Sequence, residues 1–152
     1  MSETNIVQEI RLAISRGLPF TRDGAVAIEK TCGIYAIICL RTLRSYIGSS
    51  KNASARARRH LHDLERDIHH SRFLQRAWNR YGAENFSFDI IRVFSHRCSI
   101  KRMLRCEQYY IDKCRTTDPK LGFNLSAIAG RPTFLPGRNR VAQLKVAHVH
   151  RK

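Results

Sequence analysis

A chain of 152 residues suits one domain of ordinary size with appendages, and 43% hydrophobic content is enough for a packed core. With 28 Lys and Arg against 12 Asp and Glu, the net charge of +16 calls for a polyanionic partner, nucleic acid being the commonest. Five cysteines without a Cys-x-x-Cys pair exclude a disulfide framework and a zinc ribbon. No apolar leader and no stretch near the ~20 residues of a membrane span are present, so we expect no membrane association and a soluble protein of the reducing cytoplasm.

In chain order, Ile6, Ile10, Ile14 and Leu18 recur every four residues and predict an amphipathic helix that Gly17 and Pro19 end. Phe20–Thr31, with the Asp23-Gly24 turn signal, reads as a linker. Two β-rich runs follow, Cys32–Leu40 and Ser45–Ser49, joined by the polar Arg41–Arg44, which is the pattern of a hairpin. After Ser50-Lys51-Asn52, the residues Ala53, Ala57, Leu61, Leu64 and Ile68 form one helical stripe. Phe73, Leu74, Ala77, Trp78 and Tyr81 form a second, closed by Gly82 as C-cap. Phe86–Phe94 reads as a third strand. A helix from Ser95–Ser99 to about Cys114 buries Ile100, Met103, Leu104, Tyr110 and Ile111, and Cys106 and Cys114, two turns apart, also face a core. From Pro119 onward there are seven Lys or Arg and no acid. These elements predict an α/β (α+β) domain with a small three-stranded, mainly antiparallel sheet flanked by helices. Residues 1–30 form a helical extension and linker, 31–127 the domain, and 128–152 a basic tail.

The hairpin carries Gly33-Ile34-Tyr35 on one strand and Tyr46-Ile47-Gly48 on the other. A phenol donates, accepts and is a weak acid, so two of them can hold and deprotonate a water. Taken alone, both tyrosines are equally strand residues of high β-propensity. The series downstream changes this. Arg56 stands ten residues after Tyr46, and His60 follows one helical turn later. His69 precedes Leu74-Gln75-x-x-Trp78-Asn79-x-Tyr81-Gly82. Phe86-x-Phe88 opens the third strand, Glu107 lies in Arg105–Ile111, and Gly122-Phe123-Asn124 closes the set. Between Pro19 and Asn124 this order resembles the GIY-YIG nuclease family, most closely its phage and intron homing endonucleases.

The resemblance implies a DNA endonuclease that uses Mg²⁺ (or Mn²⁺), with catalytic residues Tyr35, Tyr46, Arg56, His60 and Glu107. Glu107 is the implied metal ligand, since a hard cation that keeps its waters can be held by one carboxylate. Gly33, Gly48, His69 and Asn124 support the site. Arg56 would stabilise developing phosphate charge. Tyr46 is the first choice as general base with Tyr35 assisting, though the two roles are exchangeable. An unperturbed phenol near pKa 10 must be lowered by Arg56 and the metal to serve at neutral pH. Asn124 is read as tying a loop through side-chain to backbone bonds. The four histidines 60, 62, 69 and 70 lack the thiolate or carboxylate partners of a closed zinc site. Lys51, Arg58, Arg59, Arg72, Arg76, Arg131, Arg138 and Arg140 are candidate DNA contacts. The 28 residues after Asn124 are read as a DNA-contacting arm or tail, and the N-terminal helix as a possible homodimer interface. The alternatives are a non-cleaving nucleic-acid-binding protein on the same fold and a basic structural protein of ribosome or nucleoid type. If phage-encoded, the protein would act in the host cytoplasm.

Overall fold

The computed structural model describes residues 18–130. The N-terminal helix predicted from Ile6 to Leu18 thus lies essentially outside the described residues, as do Arg131, Arg138 and Arg140. The chain runs β1 (Leu18–Pro19), α1 (Arg22–Ala27), β2 (Cys32–Cys39), β3 (Ser45–Ser50), α2 (Ala53–Glu65), α3 (Arg72–Tyr81), a 3₁₀ turn (Ala83–Asn85), β4 (Phe86–Phe94) and α4 (Ile100–Cys114). The three expected strands form one antiparallel sheet, to which β1 adds a two-residue edge in the order β1-β4-β2-β3.

The central strand β2 is buried along its whole length because helices cover both faces. That explains its unbroken apolar run, where a one-sided sheet would alternate. On one face, Tyr35, Ile37 and Phe88 pack with Leu61 and Leu64 of α2 and Leu74 and Trp78 of α3. On the other, Ile34, Ala36, Ile38 and Ile47 meet Met103, Tyr110 and Ile111 of α4. Each long helix has a side-chain cap that takes up a free amide at its start: Asn52 accepts from Ala55 at 3.1 Å, Ser71 from Leu74 at 3.2 Å, and Ser99 from Arg102 at 3.3 Å. Gly82, at φ 81°, ends α3 in a conformation that favours glycine.

Four local expectations differ from the structure. Ile68 is 50% exposed, because α2 stops at Glu65 and Asp67 turns the chain at φ 57°. Ile100 is 62% exposed because it stands in the first turn of α4, ahead of the face that meets the sheet. Cys106 and Cys114 are only half-buried, Cys106 sitting at the margin of the α4 cluster. The segment read as a linker carries α1, capped by Thr21 accepting from Gly24 at 3.2 Å. Its Phe20 is fully buried, edge-on to Trp78 at 5.8 Å and tilted on Phe88 at 5.5 Å.

Candidate active site

Register builds the first wall of the site. Tyr35 on β2 stands opposite Gly48 on β3, and Ile37 opposite Tyr46, so both phenols share the face toward α2 and α3. A methyl on Gly48 would run into the Tyr35 hydroxyl, so that glycine is what makes room for the phenol. Gly33 has a different task. It lets β2 approach the Arg92 carbonyl of β4, next to a bulge between Ile34 and Tyr35. The Tyr35 ring stacks on Phe88 at 4.9 Å, with the Tyr46 ring 6.5 Å away.

Helix α2 supplies the second wall. Arg56 and His60 lie one turn apart, and both reach the Tyr35 hydroxyl: Arg56 Nε donates to it at 3.2 Å, and His60 Nε2 lies 2.7 Å from it. The direction of the second contact is set from farther away. The Ser71 amide donates to His69 Nδ1 at 3.0 Å, nearer than the Ser71 carbonyl at 3.4 Å. An amide can only donate, so His69 Nδ1 carries the lone pair and its proton is on Nε2. That proton faces His60 Nδ1 at 2.8 Å, which leaves the proton of His60 on Nε2, pointing at Tyr35. Both rings are neutral at pH 7, since burial holds His60 well below the ordinary histidine range and His69 at about 3. The Tyr35 oxygen therefore receives two N–H donors, and its own O–H is free for the cleft.

Neither phenol is acidified. Burial pushes Tyr35 up to about 12 against the pull of Arg56, and raises Tyr46 further. The expected lowering by Arg56 is present but smaller than the desolvation that opposes it. The Tyr46 hydroxyl meets His70 Nε2 at 3.1 Å. In the sequence His70 enters only as one of four histidines weighed for a zinc site and set aside, with no role at the tyrosines. Its only signal there was membership of the His69-His70 pair, and the turn between α2 and α3 is what carries it to the tyrosine. Gln75 holds that turn, accepting from the His69 amide at 3.0 Å and donating to the Leu64 carbonyl at 2.9 Å.

The third wall comes from the opposite face of the sheet. Glu107 on α4 is 8% exposed and accepts from Ser49 Oγ, another residue sequence reasoning left unassigned. Burial raises its pKa, opposed by the Ser49 hydroxyl, the Gly130 amide and Arg56. Among the described residues it has no ion-pair partner within salt-bridge distance. A buried carboxylate without a cation is costly. Oxygen donors of that kind fit a hard divalent ion that retains its waters. The ligand atoms of His60, His69 and His70 lie within 4.8 Å of one another, but the ring nitrogens of His60 and His69 are already used in the hydrogen-bond chain.

All three walls meet at the free edge of β3. Asn124 seals that edge as an extra strand would, accepting from the Ile47 amide at 2.9 Å and donating to its carbonyl at 2.8 Å. The resulting cleft, about 430 Å³, is lined by Tyr35, Tyr46, Arg56, His70 and Glu107 among others. His60 and His69 lie behind the tyrosines. Lys51, Arg58, Arg59, Arg72 and Arg76 are exposed but do not line the cleft. Arg59 pairs with Asp63 at 3.2 Å, Arg58 donates to Ser54 at 2.8 Å, and Lys51 donates to the carbonyls of His96 and Cys98.

Two phenols, a guanidinium and a buried carboxylate thus line one open cleft on a small α+β scaffold. Residues 31–120 match the GIY-YIG catalytic domain, and the chain belongs to that family. Among solved structures, the catalytic domain of the homing endonuclease I-TevI is similar at 27% identity and a TM-score of 0.56, covering 62% of this chain and 98% of that one. A point mutant of the catalytic domain of intron endonuclease I-TevI gives 27% identity and a TM-score of 0.57, covering 64% and 95%. No curated protein matches the chain. No helix among the described residues is long and apolar enough to cross a membrane.

Proposed function

We propose that the chain is a divalent-metal-dependent DNA endonuclease that hydrolyses phosphodiester bonds, in the manner of the homing endonucleases it resembles. The observation that carries this is the convergence of Tyr35, Tyr46, Arg56 and Glu107, far apart in sequence, on one cleft at the edge of β3. Glu107 would hold Mg²⁺ or Mn²⁺. When bound, the metal would supply charge neutralisation at the phosphate and at the leaving oxygen. Arg56 faces the same space and stabilises the negative charge that grows on the phosphate as water attacks. Tyr35 positions that water or the phosphate through its O–H, since both N–H donors at its oxygen come from the protein. Tyr46 takes the proton of the water.

The charge of +16 supports a nucleic-acid substrate, and an odd number of cysteines with no Cys-x-x-Cys pair supports a reducing cytoplasm. A homodimer through the N-terminal segment would turn a nick into a double-strand cut. Light scattering with and without residues 1–17 tests it, and a monomer in both forms removes it.

Supercoiled plasmid, incubated with Mg²⁺ or Mn²⁺ and separately with EDTA, tests the activity. Wild type should nick only with metal. Glu107→Ala should be inert, and Arg56→Ala should be slower by about 10²–10³-fold. Plasmid and single-stranded substrates left intact by wild type across metals, with binding retained, would assign the chain to the non-cleaving alternative.

A further inference from the structure

We infer that His70 is the terminal proton acceptor of the site: Tyr46 hands its hydroxyl proton to His70 Nε2 as it takes one from the attacking water. This rests on the hydrolase reading above and deepens it.

The two tyrosine–histidine contacts look alike, at 2.7 Å for Tyr35–His60 and 3.1 Å for Tyr46–His70, but their directions differ. His60 is locked as a donor by the chain Ser71 amide, His69, His60, so it has no lone pair for Tyr35. His70 is not part of that chain. Intrinsic preference then decides, because a phenol is the stronger donor and an imidazole nitrogen the stronger acceptor. The bond at Tyr46 runs O–H to N, which leaves a lone pair of the Tyr46 oxygen open to the cleft. His70 also lines the cleft and is only half-buried, whereas His60 and His69 are buried, so it can return its proton to solvent.

The transfer balances. Water forms a bond to phosphorus while one of its protons moves to Tyr46 Oη and the Tyr46 proton moves to His70 Nε2. The phosphorus–oxygen bond to the leaving group breaks, and the departing oxygen takes a proton from solvent. The imidazolium then deprotonates to water. Tyr46 never ionises, so its burial is no obstacle. The effective base has the strength of an imidazole. Groups facing His70 are Tyr46, the stacked His69 ring at 4.3 Å, His60 at 5.9 Å, and the charges of Arg56, which disfavours the imidazolium, and Asp63, which favours it. Burial and Arg56 hold His70 below its ordinary range.

The test starts with wild type, whose metal-dependent nicking establishes the parent reading independently. His70→Ala should then lower the single-turnover rate by about 10²-fold, with DNA affinity unchanged. It should abolish the acid limb that His70 contributes to the pH–rate profile. Added imidazole should restore rate in proportion to its free base. A wild-type rate in His70→Ala, or a loss without imidazole rescue or change of profile, overturns the relay. A second measurement needs no activity. In ¹⁵N-labelled protein at pH 7, His70 Nε2 should show the shift of an unprotonated nitrogen accepting a hydrogen bond, and the bonding component should vanish in Tyr46→Phe. A protonated His70 Nε2 overturns the inference whether or not the chain cuts DNA.

Discussion

Gly48→Ala is the smallest change that reaches the chemistry, since its methyl group has nowhere to go except into the Tyr35 hydroxyl. The backbone there is ordinary strand, so the fold should persist while Tyr35 is displaced from Arg56 and His60. Misplacement of about an ångström costs on the order of 10²-fold in rate. Cleavage kinetics with circular dichroism as control decide it, and a variant with wild-type rate would show that Tyr35 needs no such alignment. Glu107 gives a prediction of opposite sign for stability and activity. Its pKa is raised in the folded chain, so its contribution to stability is full below the unfolded value near 4.5 and is lost as pH rises through the folded value. At pH 7 without metal, the ionised carboxylate is a net cost. Glu107→Gln should therefore raise the melting temperature in EDTA at pH 7, lose that advantage at pH 4, and cut no DNA. A lower melting temperature at pH 7 would contradict the uncompensated charge. The histidines have the reverse sign. His60, His69 and His70 are all lowered, so their stability is present above about pH 6.5 and is lost as pH falls toward their folded values. Unfolding at pH 5.5 should accordingly take up protons, even after release from Glu107. Calorimetry in buffers of different ionisation enthalpy measures this, and net proton release would show that the cluster is charged in the folded state.

At the scale of elements, Phe20 decides how far the domain extends. Its amide donates to the Phe86 carbonyl at 3.0 Å, and its ring fills the space between Trp78 and Phe88, the residue on which Tyr35 stacks. Phe20→Ala should cost about 3–5 kcal/mol of unfolding free energy, as for other large buried aromatics, and a chain starting at residue 31 should be destabilised at least as much. Urea denaturation measures it. A cost below 1 kcal/mol would make the segment an accessory. None of this was legible in the sequence, because one apolar residue between Pro19 and Asp23-Gly24 has the local grammar of a linker and only tertiary packing gives it a core position. The hairpin, α2, α3 and β4 were legible because period and capping residues agreed along each. The tyrosines, Arg56 and Glu107 were legible through their order. Ser49 and His70 were not. Their roles depend on which face of β3 meets α4 and on the turn that Gln75 clamps, and neither is encoded in spacing along one element.

At the scale of the molecule, the cleft and the candidate DNA contacts are separate among the described residues. None of the candidate DNA contacts within the described residues lines the cleft, where Arg56 is the basic residue; Arg72 and Arg76 stand one turn apart on the outer face of α3, both exposed. Phosphates bound on that face would position the duplex without taking part in bond breaking. Each phosphate neutralised releases condensed counterions, so log affinity should fall against log salt with a slope of about −0.9 per contact. Replacing Arg72 and Arg76 together by Gln should make the slope shallower by about two if both touch phosphate, and weaken binding evenly across sequences. The single-turnover rate at saturating protein should stay unchanged, because neither residue reaches the Tyr46 or Glu107 side of the cleft. Arg56→Ala should do the converse, losing rate with little change in slope. Fluorescence anisotropy on a labelled duplex over a salt series, run beside the cleavage assay, separates the two. A double variant with wild-type slope would place the duplex on another face, and one that lost rate at saturation would join α3 to the chemistry.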